Sequence, residues 1–267
     1  MVRVVPPALR IAAWAFVVLT AIILLAPLVV VVGVSVSESQ FIAFPPAGLT
    51  LRWYREVMAS DAYLAAAALS LQVAVLVTLA ATLVGGAAAI ALHRRRLPGS
   101  QLLATAFLSP LVLPTIIYAI GMLMLWSAAF GPVSLPTLAL SHTVIALPYV
   151  VRTTLAVLSE ADPFLEEAAR TMGAGRLQRL VHVVVPQCLP GLAAGAFFAF
   201  NISFDEAVLS LFLRKPGLTT LPVQIYGQLE FSPDPSVAAV STIMIGVTVL
   251  LILVIDRLLG LQRFASA

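Results

Sequence analysis

The chain carries Glu167-Ala168-Ala169, then Gly173, then Val183-Val184-Val185-Pro186, in one segment between two strongly apolar stretches. Four basic or titratable side chains lie within the same segment, at Arg170, Arg176, Arg179 and His182. A polar, helix-prone segment that separates two apolar spans is expected at a membrane surface, because its charged side chains are costly in lipid. Another protein can reach it there, so this segment indicates what the rest of the chain responds to.

The composition around this segment is that of a membrane protein. Hydrophobic residues make up 61% of the 267 residues and charged residues 10%, with a mean hydropathy of +1.07. A soluble domain carries roughly 25% charged residues. We therefore predict an all-α, polytopic membrane protein with a single transmembrane domain over residues 1–267. The net charge of +3 is too small to indicate a nucleic-acid partner.

Six apolar runs are long enough to cross a bilayer, which takes about 20 residues in a helix. The predicted spans are residues 11–33, 63–92, 102–126, 135–158, 188–213 and 237–259. None shows the alternation of an outer-membrane barrel strand. The first run is too long for the apolar core of a signal peptide, so we expect it to be a retained helix.

The basic residues predict the orientation of these spans. With the N-terminus in the cytoplasm, 11 of the 15 Lys and Arg residues lie on the cytoplasmic side and 4 lie outside. The inner group is Arg3, Arg10, Arg94, Arg95, Arg96, Arg152, Arg170, Arg176, Arg179, Arg257 and Arg263, and the outer group is Arg52, Arg55, Arg214 and Lys215. This asymmetry favours a multi-pass protein with both termini cytoplasmic.

The residues that most enzymes need are missing from the sequence. The one lysine, Lys215, precedes a proline in an outer loop and follows no glycine-rich cradle, so a P-loop ATPase site is excluded. The single cysteine, Cys188, excludes a disulfide within the chain and a multi-cysteine metal site. We expect no catalytic site, metal or cofactor in this chain. Of the histidines only His142 lies in a span, where a proton-transfer role and a hydrogen bond to a neighbouring helix are both open.

The opening segment resembles the cytoplasmic loop of permease subunits of ATP-binding-cassette importers, which reads Glu-Ala-Ala-x-x-x-Gly-x9-Ile-x-Leu-Pro. The matching positions here are Glu167, Ala168, Ala169, Gly173, Val183, Val185 and Pro186, with valine in place of Ile and Leu. The resemblance implies a type I importer fold whose coupling loop, residues 160–186, contains a short helix that docks into a cleft on an ATPase subunit. Glu166 joins these positions as an expected ATPase-coupling residue.

The residues of this loop also predict its local structure. Asp162 or Pro163 can begin a helix, and Glu166 and Glu167 would then lie in its first turn, where the helix dipole favours carboxylates. Gly173 and Gly175 would end it. The alternative to docking on a protein is an amphipathic helix that lies on lipid headgroups, which its arginines would favour.

A second region resembles the second permease of spermidine/putrescine importers. It comprises Asn201-Ile202-Ser203-Phe204-Asp205-Glu206 and the stretch from Leu218 to Tyr226. The resemblance implies a subunit of the bacterial inner membrane with four kinds of partner. They are a second, homologous permease, two ATPase subunits that bind ATP and Mg, a periplasmic or lipid-anchored solute-binding protein, and membrane lipid.

We expect Asp205 and Glu206 to lie within the fifth span, roughly 15 residues or about 22 Å from its inner end. A charged side chain at that depth costs about 2.5 to 3.5 kcal/mol unless it faces water, a partner or a passing cation. A polyamine is a chain of cations, so Asp205, Glu206, Asn201 and Ser203 are predicted pathway residues. Pairing with Arg214, or capping a break in the helix, is the structural alternative.

The sequence thus predicts a permease subunit that moves a small, cationic solute inward by alternating access, driven by a separate ATPase. The alternative from another class is a stand-alone, proton-coupled transporter that uses His142, Asp205 and Glu206 as a relay. A non-transporting scaffold subunit would leave the acidic pair unexplained.

The predicted orientation can be tested by labelling single cysteines in intact cells after Cys188 is replaced. A cysteine at Pro216 should react with an impermeant thiol reagent, because that loop is expected outside. A cysteine at Gly173 should react only after permeabilisation. The reverse pattern would contradict the orientation.

Overall fold

A computed structural model of the chain describes residues 7–94 and 99–259, and within them the fold is built from helices. The helices are α1 Pro7–Ser35, α2 Arg52–Ala59, α3 Asp61–His93, α4 Ser100–Leu108, α5 Thr115–Ala129, α6 Leu135–Glu160, α7 Pro163–Thr171, α8 Arg176–Arg179, α9 Val185–Phe204, α10 Val208–Phe212, α11 Leu221–Phe231 and α12 Ser236–Leu259. A 3-10 turn, Ser109–Leu111, extends α4, and a π-helical turn, Leu180–Val184, joins α8 to α9.

The all-α, polytopic class is confirmed by the lengths and composition of these helices. Within the described residues, five continuous helices are long and apolar enough to cross a membrane, or six spans if one bent pair counts as a span. The five are α1, α3, α6, the continuous run Arg176–Phe204, and α12. Four of the arginines from which the orientation is predicted lie outside the described residues: Arg3, Arg95, Arg96 and Arg263.

The predicted third span, residues 102–126, is not one continuous helix but a bent pair. Ser100–Leu111 and Thr115–Ala129 meet at an angle of 103°. Pro114 explains the break, because proline has no backbone N–H and disfavours helical geometry in the residue before it. Pro114 is extended, with ψ at 126°, and α5 begins directly after it.

The prediction of a fifth span over residues 188–213 is wrong at both ends. The helix starts at Arg176 and ends at Phe204, and α10 is a separate short helix beyond a break at Asp205 to Ala207. The break has a local cause, since the Glu206 carboxylate accepts a hydrogen bond from the Leu209 N–H at 2.9 Å and so caps α10.

The described residues fall into two compact units, one formed by residues up to 64 with 227–247 and the other by 65–226 with residues from 248. In the first unit, α2 lies against the chain that follows α1. Trp53 Nε1 donates to the Ser37 carbonyl at 2.8 Å, and the hydroxyls of Tyr54 and Ser35 are 2.7 Å apart. Helix α1 itself is exposed along its most apolar stretch.

In the second unit, α6 and α9 pack closely because two glycines face α6. A Cβ added at Gly191 would lie 2.8 Å from the Thr153 carbonyl oxygen, and one added at Gly195 would lie 2.8 Å from Val150 Cα. The Thr153 hydroxyl donates to the Gly191 carbonyl at 2.9 Å across the pair. Two glycines four residues apart let helix backbones approach in lipid, where dispersion contacts and hydrogen bonds replace the hydrophobic effect.

Val150 is also the contact point for a third helix. A Cβ added at Gly85 of α3 would lie 2.9 Å from Val150 Cβ. Val150 is fully buried. It is approached by Gly85 of α3 and by Gly195 of α9, so the three helices meet around it. The surrounding core adds α5 and α10, and its buried members include Val73, Val77, Ala119, Trp126, Leu138, Ala199, Leu209 and Leu213.

We expect Gly195→Ala to destabilise the protein by about 1–3 kcal/mol, because the new methyl group must displace the α6 backbone. Gly121→Ala is the matched control, since a Cβ at that helical position meets nothing within 4 Å. Heating the detergent-purified protein with a thiol-reactive dye measures this, because the single cysteine, Cys188, is buried. Equal melting temperatures for the two variants would contradict the glycine-dependent packing.

Candidate functional site

The loop between α6 and α9 folds as a short exposed helix, α7, followed by a tight turn. The Asp162 carboxylate caps α7 by accepting a hydrogen bond from the Phe164 N–H at 2.9 Å. Glu166 lies in the first turn of α7, as predicted, whereas Glu167 lies one position beyond it. The predicted helix start at Asp162 and Pro163 is confirmed.

Gly173 ends α7 in a defined way. Its φ is +87°, the Gly173 N–H donates to the Arg170 carbonyl at 3.1 Å, and the Ala174 N–H donates to the Ala169 carbonyl at 3.0 Å. This pair of bonds is the Schellman motif, which requires a left-handed residue at the position that Gly173 occupies. The space beside Gly173 is open, because an added Cβ would meet nothing within 4 Å.

The outer face of α7 is apolar and uncovered. Phe164 is 73% exposed and Met172 is 86% exposed, and Ala168 lies between them at a spacing of four residues, so the three lie along one side. Leu177, in α8, is 72% exposed on the same segment. A small alanine between two large apolar side chains is a surface that can enter a groove. We call Phe164, Ala168 and Met172 the apolar face.

The two glutamates of the segment have different partners. Glu166 Oε1 accepts from Arg94 Nη2 at 2.9 Å and lies 3.5 Å from Arg179 Nε, so it connects α7 to the end of α3 and to α8. Glu167 pairs with Arg170 on its own helix at 2.9 Å, and both side chains are about two-thirds exposed. Of the two glutamates, Glu167 is therefore the more exposed.

The return from the loop into the membrane passes through the π-helical turn. Val183 lies in that turn, and Val185 and Pro186 are the first residues of α9. Because Pro186 has no N–H and its ring crowds the carbonyl four residues earlier, a wider turn relieves the conflict, with the Val185 N–H donating to the Leu180 carbonyl. The Gln187 side chain donates to the Val183 carbonyl at 3.0 Å. The helix therefore stays continuous through the proline.

The acidic pair lies at the other end of α9. Asp205 follows the last residue of the helix and is exposed, while Glu206 caps α10. A helix from Val185 to Phe204 is about 30 Å long, about the thickness of the hydrocarbon core. The expected position about 22 Å along a continuous span is therefore corrected to a helix break at the C-terminal end of α9. Of the two structural alternatives, capping is confirmed for Glu206.

The two polar residues that precede the pair make contacts between helices. Asn201 donates to the Phe197 carbonyl at 2.8 Å and accepts from the Thr248 hydroxyl of α12 at 3.0 Å. Ser203 is buried and its hydroxyl lies 3.1 Å from His142 Nδ1. The side chains of Asn201 and Ser203 thus hold the end of α9, and their expected place on a solute pathway stays a prediction.

His142 is the buried centre of this end of the bundle. It is fully buried, and its Nε2 lies 3.1 Å from the Ser210 hydroxyl, opposite its contact with Ser203. His142 therefore joins α6 to α9 and to α10, which favours the hydrogen-bonding role over proton transfer. Ser210 and Thr248 belong to no motif, so sequence reasoning did not identify them.

The predicted site residues thus form two groups at the two ends of α9. The first group lies in the loop that contains α7 and in the return into α9, and the second surrounds the break after Phe204. Within the described residues, no cluster of His, Cys, Asp and Glu side chains could hold a metal ion.

Residues 81–263 match a known protein family, described as the binding-protein-dependent transport system inner membrane component. The matched region contains both groups of site residues.

Several individual relatives are similar over most of their length. The putrescine transport system permease protein PotI of Escherichia coli strain K12 is 32% identical over 84% of this chain and 82% of its own. The spermidine/putrescine transport system permease protein PotC of the same strain is 31% identical over 85% of this chain and 86% of its own. A putative 2-aminoethylphosphonate transport system permease protein, PhnV of Salmonella typhimurium strain LT2, is 26% identical over 87% of this chain and 88% of its own.

Two solved structures share the fold. A bacterial ABC transporter involved in the import of the acidic polysaccharide alginate matches with a TM-score of 0.69 and 17% identity, over 95% of this chain and 98% of that chain. The MetNI methionine ABC transporter, in an inward-facing conformation, matches with a TM-score of 0.60 and 21% identity, over 74% of this chain and 97% of that chain.

We expect Gly173→Ala to loosen α7, because a non-glycine residue in left-handed geometry costs about 1–2 kcal/mol. Hydrogen exchange of the amides in α7 should speed up by about 5- to 30-fold, which is what that cost corresponds to at 25 °C. Gly173→Asn is the control, because asparagine tolerates this geometry and should leave exchange nearly unchanged. If alanine and asparagine have the same effect, the Schellman turn is not what ends the helix.

Proposed function

Because the chain belongs to the family of inner membrane components of binding-protein-dependent transport systems, we propose that it is one transmembrane subunit of an ATP-driven importer. In this proposal it pairs with a second, homologous permease and with two ATPase subunits, which bind ATP and Mg and carry out hydrolysis. A periplasmic or lipid-anchored binding protein delivers the solute. Both termini are cytoplasmic, as the arginine distribution favours.

The observation that carries the proposal is the apolar face of α7. It is exposed in a loop whose neighbours are arginine-rich, and a charged pair, Glu167 and Arg170, borders it. An amphipathic helix that offers a narrow apolar ridge suits a groove on a partner protein. The ATPase subunit is the partner that the motif at Glu167 to Gly173 implies.

The proposed mechanism is alternating access. ATP closes the ATPase dimer, α7 moves with the subunit on which it is docked, and the continuous helix from Arg176 to Phe204 carries the movement to the break at Asp205. The spans then open outward to accept solute from the binding protein. Hydrolysis and separation of the ATPases restore the inward state.

The solute we propose is a small cation such as putrescine or spermidine. Two relatives at about 31–32% identity are named for polyamines, and the more distant one is named for 2-aminoethylphosphonate. All of these solutes carry an aliphatic ammonium group, which a carboxylate can pair with. Asp205 is the exposed carboxylate at the break in α9, so we place it on the pathway.

A proton-coupled transporter acting alone is not favoured by the structure. Its relay would need His142, whose two ring nitrogens are already within hydrogen-bond distance of Ser203 and Ser210. A transporter of that kind would also not be expected to match a family of binding-protein-dependent transport systems.

Expression of the chain with its neighbouring transport subunits tests the function. We expect the chain to co-purify with an ATPase subunit and the reconstituted complex to take up radiolabelled putrescine with ATP and the binding protein. Uptake by this chain alone, driven by a proton gradient, would contradict the proposal.

We expect Asp205→Asn to lower putrescine uptake while the ATPase subunits stay bound, because the amide keeps the shape but removes the charge. Glu206→Gln is the matched control, since its amide oxygen can still accept the Leu209 N–H and preserve the cap. Initial uptake rates of the two reconstituted variants measure the difference. If Glu206→Gln lowers uptake and Asp205→Asn does not, the pathway assignment of the two residues is reversed.

A further inference from the structure

The coupling helix α7 is bounded on both sides by non-helical backbone. Ala161 and Asp162 are both extended, with ψ at 141° and 113°, and separate α7 from α6. On the other side, Gly173 is left-handed and Gly175 is extended. A short helix between two such links can rotate as a unit, and a push on it would then be absorbed by the links.

One carboxylate opposes that rotation. Glu166 reaches Arg94, at the C-terminal end of the 33-residue helix α3, with Nη2 at 2.9 Å from Oε1. The same oxygen lies 3.5 Å from Arg179 Nε, and Arg179 also donates from Nη1 to the Ala174 carbonyl at 2.9 Å. Glu166 thus links α7 to α3 directly, and to α8 and the Schellman turn through Arg179.

The surroundings of this ion pair distinguish it from the other ion pairs among the described residues. The Arg179 side chain is 16% exposed, and those of Arg94 and Glu166 are 34% and 35% exposed. The Glu167–Arg170 and Arg52–Glu56 pairs each join residues of a single helix and are more exposed. A partly buried carboxylate that serves two guanidinium groups on different elements is less screened by water than a pair on one helix surface.

We propose that Glu166 is a positioning residue for energy coupling: its contact with Arg94 is a strut that makes α7 move together with α3. This inference rests on the proposed function, because the force on α7 comes from the docked ATPase. Helix α3 meets α6 and α9 at Val150, so a rigid link from α7 to α3 moves the packed helices together. The neighbouring Glu167 belongs to the docking surface, so two adjacent carboxylates have separate tasks.

The strut predicts that Glu166→Gln separates docking from movement. The amide keeps the shape of the side chain, and the apolar face is unchanged, so ATPase subunits should still co-purify with the complex. The ATP-dependent change in the rate of thiol labelling near the C-terminal end of α9 should fall by about fivefold, which is the lower end of the range of measured coupling between sites. The reporter is a cysteine at Val208 in a Cys188→Ser background, whose rate of thiol labelling is compared with and without ATP and Mg.

Two further variants make the test specific. Arg94→Gln removes the same contact from the other partner, so the double variant with Glu166→Gln should lose no more of the ATP response than Glu166→Gln alone, which independent structural roles of the two residues would not give. Glu56→Gln removes an exposed pair on α2 and should have no effect on labelling.

Three results would overturn the strut. A full ATP response in Glu166→Gln, loss of the ATPase subunits from that variant, or a larger loss in the double variant with Arg94→Gln would each contradict it. If the unmutated complex binds the ATPase but shows no ATP response, the proposed function fails together with the inference. A full response in Glu166→Gln contradicts the strut alone.

Discussion

The close approach of three helices at Val150 is the constraint on which the rest of the structure depends. Lipid tails are as apolar as the side chains of the spans, so burial alone does not hold helices together in a membrane. Here the absence of a side chain at Gly191 and Gly195 lets α9 approach the backbone of α6, and its absence at Gly85 lets α3 approach the Val150 side chain. Helices α3, α6 and α9 are thereby fixed as one body, and every proposed movement has to act on that body.

Helix α9 gives this body two functional ends. At its N-terminal end the π-helical turn keeps the chain helical through Pro186, so α8 and α9 form a continuous run after the loop that contains α7. At its C-terminal end the helix stops at Phe204, and His142 connects this end to α6 and α10. A force applied at α7 can therefore reach the break beside Asp205 without passing through a flexible connection in between, provided that α7 itself is held to the bundle.

Much of this could be predicted from the sequence, because the strongest signals are local. Apolar length predicted the number of spans, and Asp162 with Gly173 predicted both ends of α7. The breaks could not be placed in the same way. Hydropathy is the same on both sides of Pro114, so nothing in it indicates a bend of 103°, and the end of α9 depends on a cap by Glu206 that only the folded chain shows. The different partners of Glu166 and Glu167 depend on Arg94, 72 residues earlier. Long-range pairing of this kind leaves no periodic pattern in the sequence.

The central claim is that the apolar face of α7 lies against an ATPase subunit and not on lipid headgroups. The most direct measurement places a photo-crosslinking amino acid at Met172, the most exposed large side chain of the segment at 86%, in the membrane-embedded complex. We expect a covalent product between this chain and the ATPase subunit, with the crosslinked peptide identified by mass spectrometry. Crosslinking of Met172 to phospholipid, with no ATPase product in a complex that contains the ATPase, would contradict it.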